Sequence, residues 1–160
     1  MNKLEDNIVV EILEPSPYLW ESFRDNIVSI ESENFGENRF SDEDLKEDFI
    51  NKNNTLSVLK LLDTGEIIGF TYARPENKDT AFIWNTAIKK EFQNKGLIGL
   101  LMNSLEDELK KKGYKYIERE ASVENNYTEK IKKHYGGRIL KQGEPHDSKF
   151  GRQIFFRIKL

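Results

Sequence analysis

One stretch of this sequence combines residue types that can hold an anion. An apolar, β-branched run ends at Ile88, Lys89-Lys90-Glu91-Phe92 follows, and Gln93-Asn94-Lys95-Gly96-Leu97-Ile98-Gly99 opens a leucine-rich segment. A strand that delivers a glycine-containing loop to the start of a helix turns several backbone N–H groups toward one point. The helix dipole adds partial positive charge there and Lys95 adds a full one, which suits phosphate or pyrophosphate. The loop matches neither GxxxxGKS/T nor GxGxxG. Taken alone it also reads as an ordinary strand-to-helix turn with glycine for tight packing, the commoner use of such a loop.

Other chemistries are poorly supplied. There is no cysteine, which excludes a disulfide framework, thiolate zinc sites and a cysteine nucleophile. The two histidines, His134 and His146, lack metal-ligand spacing, so no metal is expected. Nothing like GxSxG supports a serine triad. His134 reads as a cation near a helix C-terminus, and Trp20 and Phe23 read as packing residues. Phe82 and Trp84 alternate along a strand and read as core or cleft lining, with Asn85 and Thr86 further along it.

The elements that must position the loop follow from periodicity and breakers. Ile8–Leu13 is a short strand stopped by Pro15 and Pro17, and 18–32 carries Leu19, Trp20, Phe23, Ile27 and Ile30 at helical spacing. Asn34-Phe35-Gly36 breaks that helix, and Ser41 with Asp44 three residues on caps a second one bearing Leu45, Phe49 and Ile50. Strands at 55–62 and 66–73 flank Asp63-Thr64-Gly65, and 80–88 is the next strand. A helix over 97–112 places Leu97, Leu100, Leu101, Leu105 and Leu109 on one face and stops at Gly113 after three lysines. A strand at 115–121, a helix at 125–134 stopped by Gly136-Gly137, and a closing hairpin through Ile139-Leu140 and Gln153–Ile158 complete the order. The expectation is one α/β (α+β) domain over 1–160, with its core at about 8–160. It has a central, mostly antiparallel mixed sheet of about six to seven strands flanked by about four helices.

Composition agrees with that class. The 160 residues are 37% hydrophobic and 33% charged with 18 aromatics, enough to bury roughly 70% of the surface of the unfolded chain. The net charge of -3 is uneven: residues 1–50 hold 14 acidic against 4 basic side chains, and 51–160 hold 14 against 21. No long apolar run or basic leader is present, so a cytoplasmic protein is expected, binding neither membrane nor nucleic acid.

The junction and its surroundings resemble the GCN5-related N-acetyltransferase (GNAT) superfamily. Its pattern is a strand ending in Val or Ile, four residues, then Gln/Arg-x-x-Gly-x-Gly/Ala at a helix start. Ile88, Gln93 and Gly96 fall in place, Ile98 occupies the second small position, and Gly99 comes one step late. Downstream, Asn125 and Gly136 have the spacing of the family's asparagine and helix-ending glycine, and the element order fits from about Ile8 to Leu160.

The resemblance implies an acyltransferase that moves an acetyl group from acetyl-CoA to a primary amine of a small molecule or peptide, directly in a ternary complex. Acetyl-CoA, a co-substrate, would lie where the strands ending at Ile88 and near Ala121 part. The backbone of Ala87 and Ile88 would pair with its pantetheine arm. Gln93, Asn94, Lys95, Gly96, Leu97, Ile98 and Gly99 would hold the pyrophosphate, with Asn125 also on the cofactor. Ile98 is compatible with this if only its N–H faces the ligand, and incompatible if its backbone must take positive φ. Glu120, five residues before Asn125, matches the family's amine-deprotonating glutamate; it also reads as an outward carboxylate paired with Arg119 or Lys115. The family's usual thiolate-protonating tyrosine falls on Lys132, leaving Tyr135 and Tyr127 as substitutes or as packing residues. The acidic segment holding Glu31, Glu33, Glu37, Asp42, Glu43, Asp44, Glu47 and Asp48 would border the acceptor, favouring a positively charged amine. The chain would act as a monomer or homodimer. A non-catalytic acyl-CoA-binding or sensor domain, and an interaction module keeping only the fold, are the alternatives.

Overall fold

The computed structural model describes residues 7–124 and 127–160. Eight strands and four α-helices are formed among them, in the order β1 (Ile8–Leu13), α1 (Pro17–Phe35), α2 (Asp42–Ile50), β2 (Thr55–Leu61), β3 (Ile67–Pro75), β4 (Thr80–Ile88), α3 (Leu97–Lys111), β5 (Tyr116–Ser122), α4 (Tyr127–Tyr135), β6 (Ile139–Gln142), β7 (His146–Ser148) and β8 (Gly151–Lys159). One sheet runs β1-β2-β3-β4-β5-β8-β6, with β7 also on β8. Every pairing is antiparallel except β4 with β5.

Local chemistry accounts for the helix ends. Ser16 caps α1 through its hydroxyl, with Pro17 at the first helical position, and Ser41 caps α2 by accepting from the Asp44 N–H. α1 runs past Ser32 to Phe35 and stops where Gly36 takes positive φ. α4 begins by Tyr127; Asn125, expected to start it, lies outside the described residues.

Two helical layers cover the sheet. Leu19, Trp20 and Ile27 of α1 and Phe49 of α2 pack with Phe70 and Tyr72 of β3 on one face. Met102 and Leu105 of α3 and Tyr135 of α4 pack with Ile83, Ile117 and Phe156 on the other. Leu100 departs from its expected place and is 46% exposed. At about 100° per residue it sits roughly 60° behind Leu97, outside the arc that Leu97, Leu101, Leu105 and Leu109 bury. β7 adds a strand to the closing hairpin, so the sheet has one more than expected.

Candidate active site

The cleft arises where the parallel pair β4–β5 separates. β4 and β5 pair from Thr80–Tyr116 to Ile83–Arg119, whereas β5 continues along β8 to Ser122 and β4 continues along β3 to Ile88. From Trp84 on, the β5-facing edge of β4 is unpaired. The register against β3 slips between Tyr72 and Ala73, leaving Trp84 as the extra residue of a bulge. The bulge reverses the facing of the chain: Ile83 packs toward α3, while Asn85 and Ala87 face α1. The result is a cleft of about 810 Å³ that passes between the strands and is lined from both layers.

At one end lies the loop into α3. Gly96 is its N-cap in the left-handed conformation (φ 75°), Asn94 is also left-handed (φ 61°), and no side chain caps the helix. The first-turn N–H groups have no intrahelical acceptor and border the cleft, with Gly96 through Gly99 among its lining residues. A Cβ built on Gly96 or Gly99 meets no protein atom within 4 Å, so the space beside them is open. Ile98 is helical and needs no positive φ; its half-exposed side chain lines the cleft rather than the core. Lys95 is exposed and is not among the lining residues. Gln93 is structural: its amide donates to the Ile88 carbonyl at 2.8 Å and to Asn34 Oδ1 at 3.1 Å. Asn34 Nδ2 donates to the same carbonyl at 3.0 Å, so of the Ala87–Ile88 backbone expected to pair with an extended ligand, this carbonyl is already engaged.

At the apex of the parting, β5 sends consecutive side chains to opposite faces. Glu120 lines the cleft and is bonded by His146 Nε2 at 2.9 Å, not by Arg119 or Lys115. Arg119 points the other way, toward α3 and α4, and is 3% exposed. It donates to Tyr127 Oη at 2.8 Å and contacts Met102 Sδ at 3.6 Å. Tyr135, equally buried, lines the cleft, and its hydroxyl has no partner among the described residues. Burial pushes the Tyr135 hydroxyl well above the ordinary tyrosine range; the opposing charge of Arg119 does not offset it. The phenol therefore keeps its proton. Lys132 is turned outward and pairs with Glu129.

The third wall comes from α1, its following turn and the sheet face beneath. Glu31 is fully buried, accepts from the Phe40 N–H at 3.1 Å and from Asn85 Nδ2 at 2.8 Å, and lines the cleft. Burial raises its pKa, outweighing those two hydrogen bonds and the charge of Arg39. Phe40, Trp84 and Phe150 form an aromatic rim, with centroids 6.0 Å apart for Phe40–Trp84 and 5.2 Å for Phe40–Phe150. Arg74 lies 3.7 Å over the Trp84 ring and is clamped by both carboxylate oxygens of Asp48. Part of the acidic segment is thus engaged in structure. Asp48 holds Arg74 and Tyr72, Asp42 meets Arg24 and Arg39, Glu33 accepts from the Lys90 N–H, and of these acids Glu31 alone lines the cleft.

Sequence reasoning passed over Arg119 and His146 as site residues, and placed Glu31 only as one of several acids bordering the acceptor. Arg119 was detectable, because alternation places it on the inner face between Ile117 and Ala121. Glu31 follows Ile27 by four, on the buried face of α1. His146 carries no such signal, since it reaches Glu120 only through the pairing of β5 and β7 with β8.

A sheet opened between two parallel strands beside an uncapped helix N-terminus is the architecture that comparison with known proteins also returns. The model of the acetyltransferase (GNAT) family matches residues 19–131, and the chain belongs to that family. Among solved structures it resembles a GNAT family acetyltransferase from Elizabethkingia anophelis with acetyl-CoA bound, at 22% identity and a TM-score of 0.65 over 97% of this chain and 99% of that one. It also resembles the ribosomal-protein-S18-alanine N-acetyltransferase from Escherichia coli (17%, 0.69, 94% of each chain). A third likeness is to aminoglycoside 6'-acetyltransferase type Ii (18%, 0.69, 94% and 96%). No curated protein matches the sequence. Among the described residues no group of three or more His, Asp or Glu is placed to hold a metal, and no helix is long and apolar enough to cross a membrane.

Proposed function

We propose that the protein transfers an acetyl group from acetyl-CoA to a primary amine of a small molecule or peptide, with both substrates held in the cleft. The observation carrying this reading is the apex at Ile83 and Arg119, where a carboxylate on one sheet face and a protonated phenol on the other border one opening. The residues fit the ligand: open space beside Gly96 and Gly99, uncapped N–H groups at α3, and an unpaired β4 edge leading from that loop to the apex. Bound there, acetyl-CoA supplies an acyl group activated as a thioester.

The chain's own residues then divide the proton work. Glu120 accepts the proton that the amine nitrogen must lose, and His146, bonded to Glu120 and open to solvent, carries it outward. Tyr135 gives its hydroxyl proton to the departing sulfur. The first turn of α3 holds the pyrophosphate through backbone N–H groups and the helix dipole. Glu31, Glu120 and the aromatic rim support a cationic acceptor, since carboxylates and ring faces both attract an ammonium.

Calorimetry with acetyl-CoA, followed by a screen of amines for release of free thiol, tests the reading. Binding together with amine-dependent thiol release is expected. Binding without release for any amine would select the acyl-CoA-binding alternative instead.

A further inference from the structure

Arg119 is a cation without an anion. Its guanidinium is buried at the apex of the cleft, and among the described residues it has no carboxylate partner. Among the described residues its Nε–H is unpartnered, and the Tyr135 hydroxyl, whose nearest polar neighbour is this guanidinium, makes no hydrogen bond of ordinary geometry; both residues line the cleft. Tyr127 accepts from Arg119, which leaves its own hydroxyl hydrogen to point elsewhere. Glu106 of α3 is held by His134 Nε2 at 3.2 Å and Arg138 Nη1 at 3.0 Å, Glu120 lies on the opposite face with His146, and Glu124, which also lines the cleft, is turned out to solvent. Lys130 lines the cleft from α4 and adds a further positive charge. A buried, unpaired charge is costly, because several kcal/mol of hydration are lost without a partner. Arginine cannot escape that cost by losing its proton.

We infer that Arg119, with Tyr127 and Tyr135, forms a preorganised anion site for the sulfur of coenzyme A, so that the negative charge leaving with the sulfur is met by a waiting cation. The inference rests on the acetyl-CoA reading above. A ligand lying along the unpaired edge of β4 from the α3 loop ends at the last paired residues, Ile83 and Arg119. As the amine nitrogen bonds to the carbonyl carbon, the carbon–sulfur bond breaks and its electron pair stays on sulfur. Glu120 takes the proton that the nitrogen gives up, the sulfur stays a thiolate held by Arg119 while it is in the site, and Tyr135 passes its proton to the sulfur only as coenzyme A departs. Until solvent returns a proton to Tyr135, the negative charge rests on its oxygen, still beside Arg119. The cation is unpaired in the resting protein and paired once charge develops, which is the condition for lowering a barrier rather than deepening a ground state.

The test compares binding of coenzyme A with binding of desulfo-coenzyme A by calorimetry as pH is varied. A nearby cation lowers an acidic group's pKa by about 1–3 units, and a free thiol ionises near about 8.5. A shift of about two units makes coenzyme A bind about tenfold more tightly than the desulfo analogue at about pH 7.5, with proton release. Arg119→Met should abolish the preference while the analogue still binds, and Arg119→Lys should restore part of it. Equal binding of both ligands to the wild-type protein would overturn the inference and leave the acetyl-CoA reading intact. Binding of neither would overturn that reading as well. Tighter binding of succinyl-CoA than acetyl-CoA, lost in Arg119→Met, would assign the cation to an acyl carboxylate and overturn the thiolate role. The wild-type comparison needs no variant to fold.

Discussion

Tyr135→Phe removes one oxygen whose structural and chemical consequences can be separated. The hydroxyl is buried and accepts or donates no hydrogen bond among the described residues, so its removal breaks none. Burying a hydroxyl without a partner costs about 1–3 kcal/mol on mutational scales. The variant should therefore be as stable as the wild type or slightly more so. For a domain of this size each kcal/mol moves Tm by about 2–4 °C, and an unchanged or modestly raised Tm is expected. Activity should move the other way. Burial pushes the phenol well above the ordinary tyrosine range, so it carries its proton when the sulfur departs. A positioned acid contributes about 10²- to 10⁴-fold, or roughly 3–5 kcal/mol of barrier. Initial rates of thiol release at saturating amine, paired with calorimetric binding of coenzyme A, separate chemistry from affinity. A kcat within about threefold of wild type would refute the acid role and pass the proton to water. A large fall in Tm would show instead that the hydroxyl has a structural partner.

Three further outcomes follow from the same geometry. Glu120→Gln keeps shape and removes basicity, so kcat should fall by roughly 10²- to 10³-fold with coenzyme A binding preserved; an unchanged pH–rate profile assigns the base elsewhere. Gly96→Glu introduces a left-handed non-glycine residue, costing about 1–2 kcal/mol, and a negative charge at the anion loop. Affinity for coenzyme A should drop more than about tenfold, whereas Gly96→Ala reports the strain alone; wild-type affinity in Gly96→Glu removes the loop from the site. Glu31 titrates above its ordinary 4.5 because it is buried, so the folded chain holds a proton that the unfolded chain has released. Its contribution therefore falls as pH rises from about 4.5 through the folded value. Denaturant midpoints across that window should lose this slope in Glu31→Gln, and an unaltered slope means another group is responsible.

How much of this was legible depended on the range of the interaction. The glycine-containing junction into α3, the Ser41 cap and the Asp63-Thr64-Gly65 turn are local, and the structure has them at their expected places. Leu100 failed because a three-and-four stripe marks a helix face only to within about one residue's rotation. The Trp84 bulge was invisible: an extra residue in β4 exists only relative to the β3 register, and it alone turns Asn85 toward Glu31. Glu120 was read with charged neighbours in sequence, but adjacent strand residues face opposite ways, and its partner comes from 26 residues on.

That alternation also bears on why a sheet opening suits this chemistry. A carboxylate and a guanidinium placed side by side would pair with each other before either met a substrate. Arg119 and Glu120 are neighbours in sequence, yet β5 puts one in the α3–α4 layer with Tyr135 and the other on the face that carries β7's His146. The backbone between them keeps the cation and the carboxylate from forming the ion pair that would neutralise both. A shift of β5 by one residue would reverse the arrangement, sending Glu120 into the buried corner and Arg119 to the acceptor side. The seven-residue pairing of β5 with β8, from Tyr116–Lys159 to Ser122–Gln153, opposes that slip, since it would also expose Ile117 and Ala121. The same apolar alternation that builds the core thus fixes which face carries the carboxylate and which carries the guanidinium.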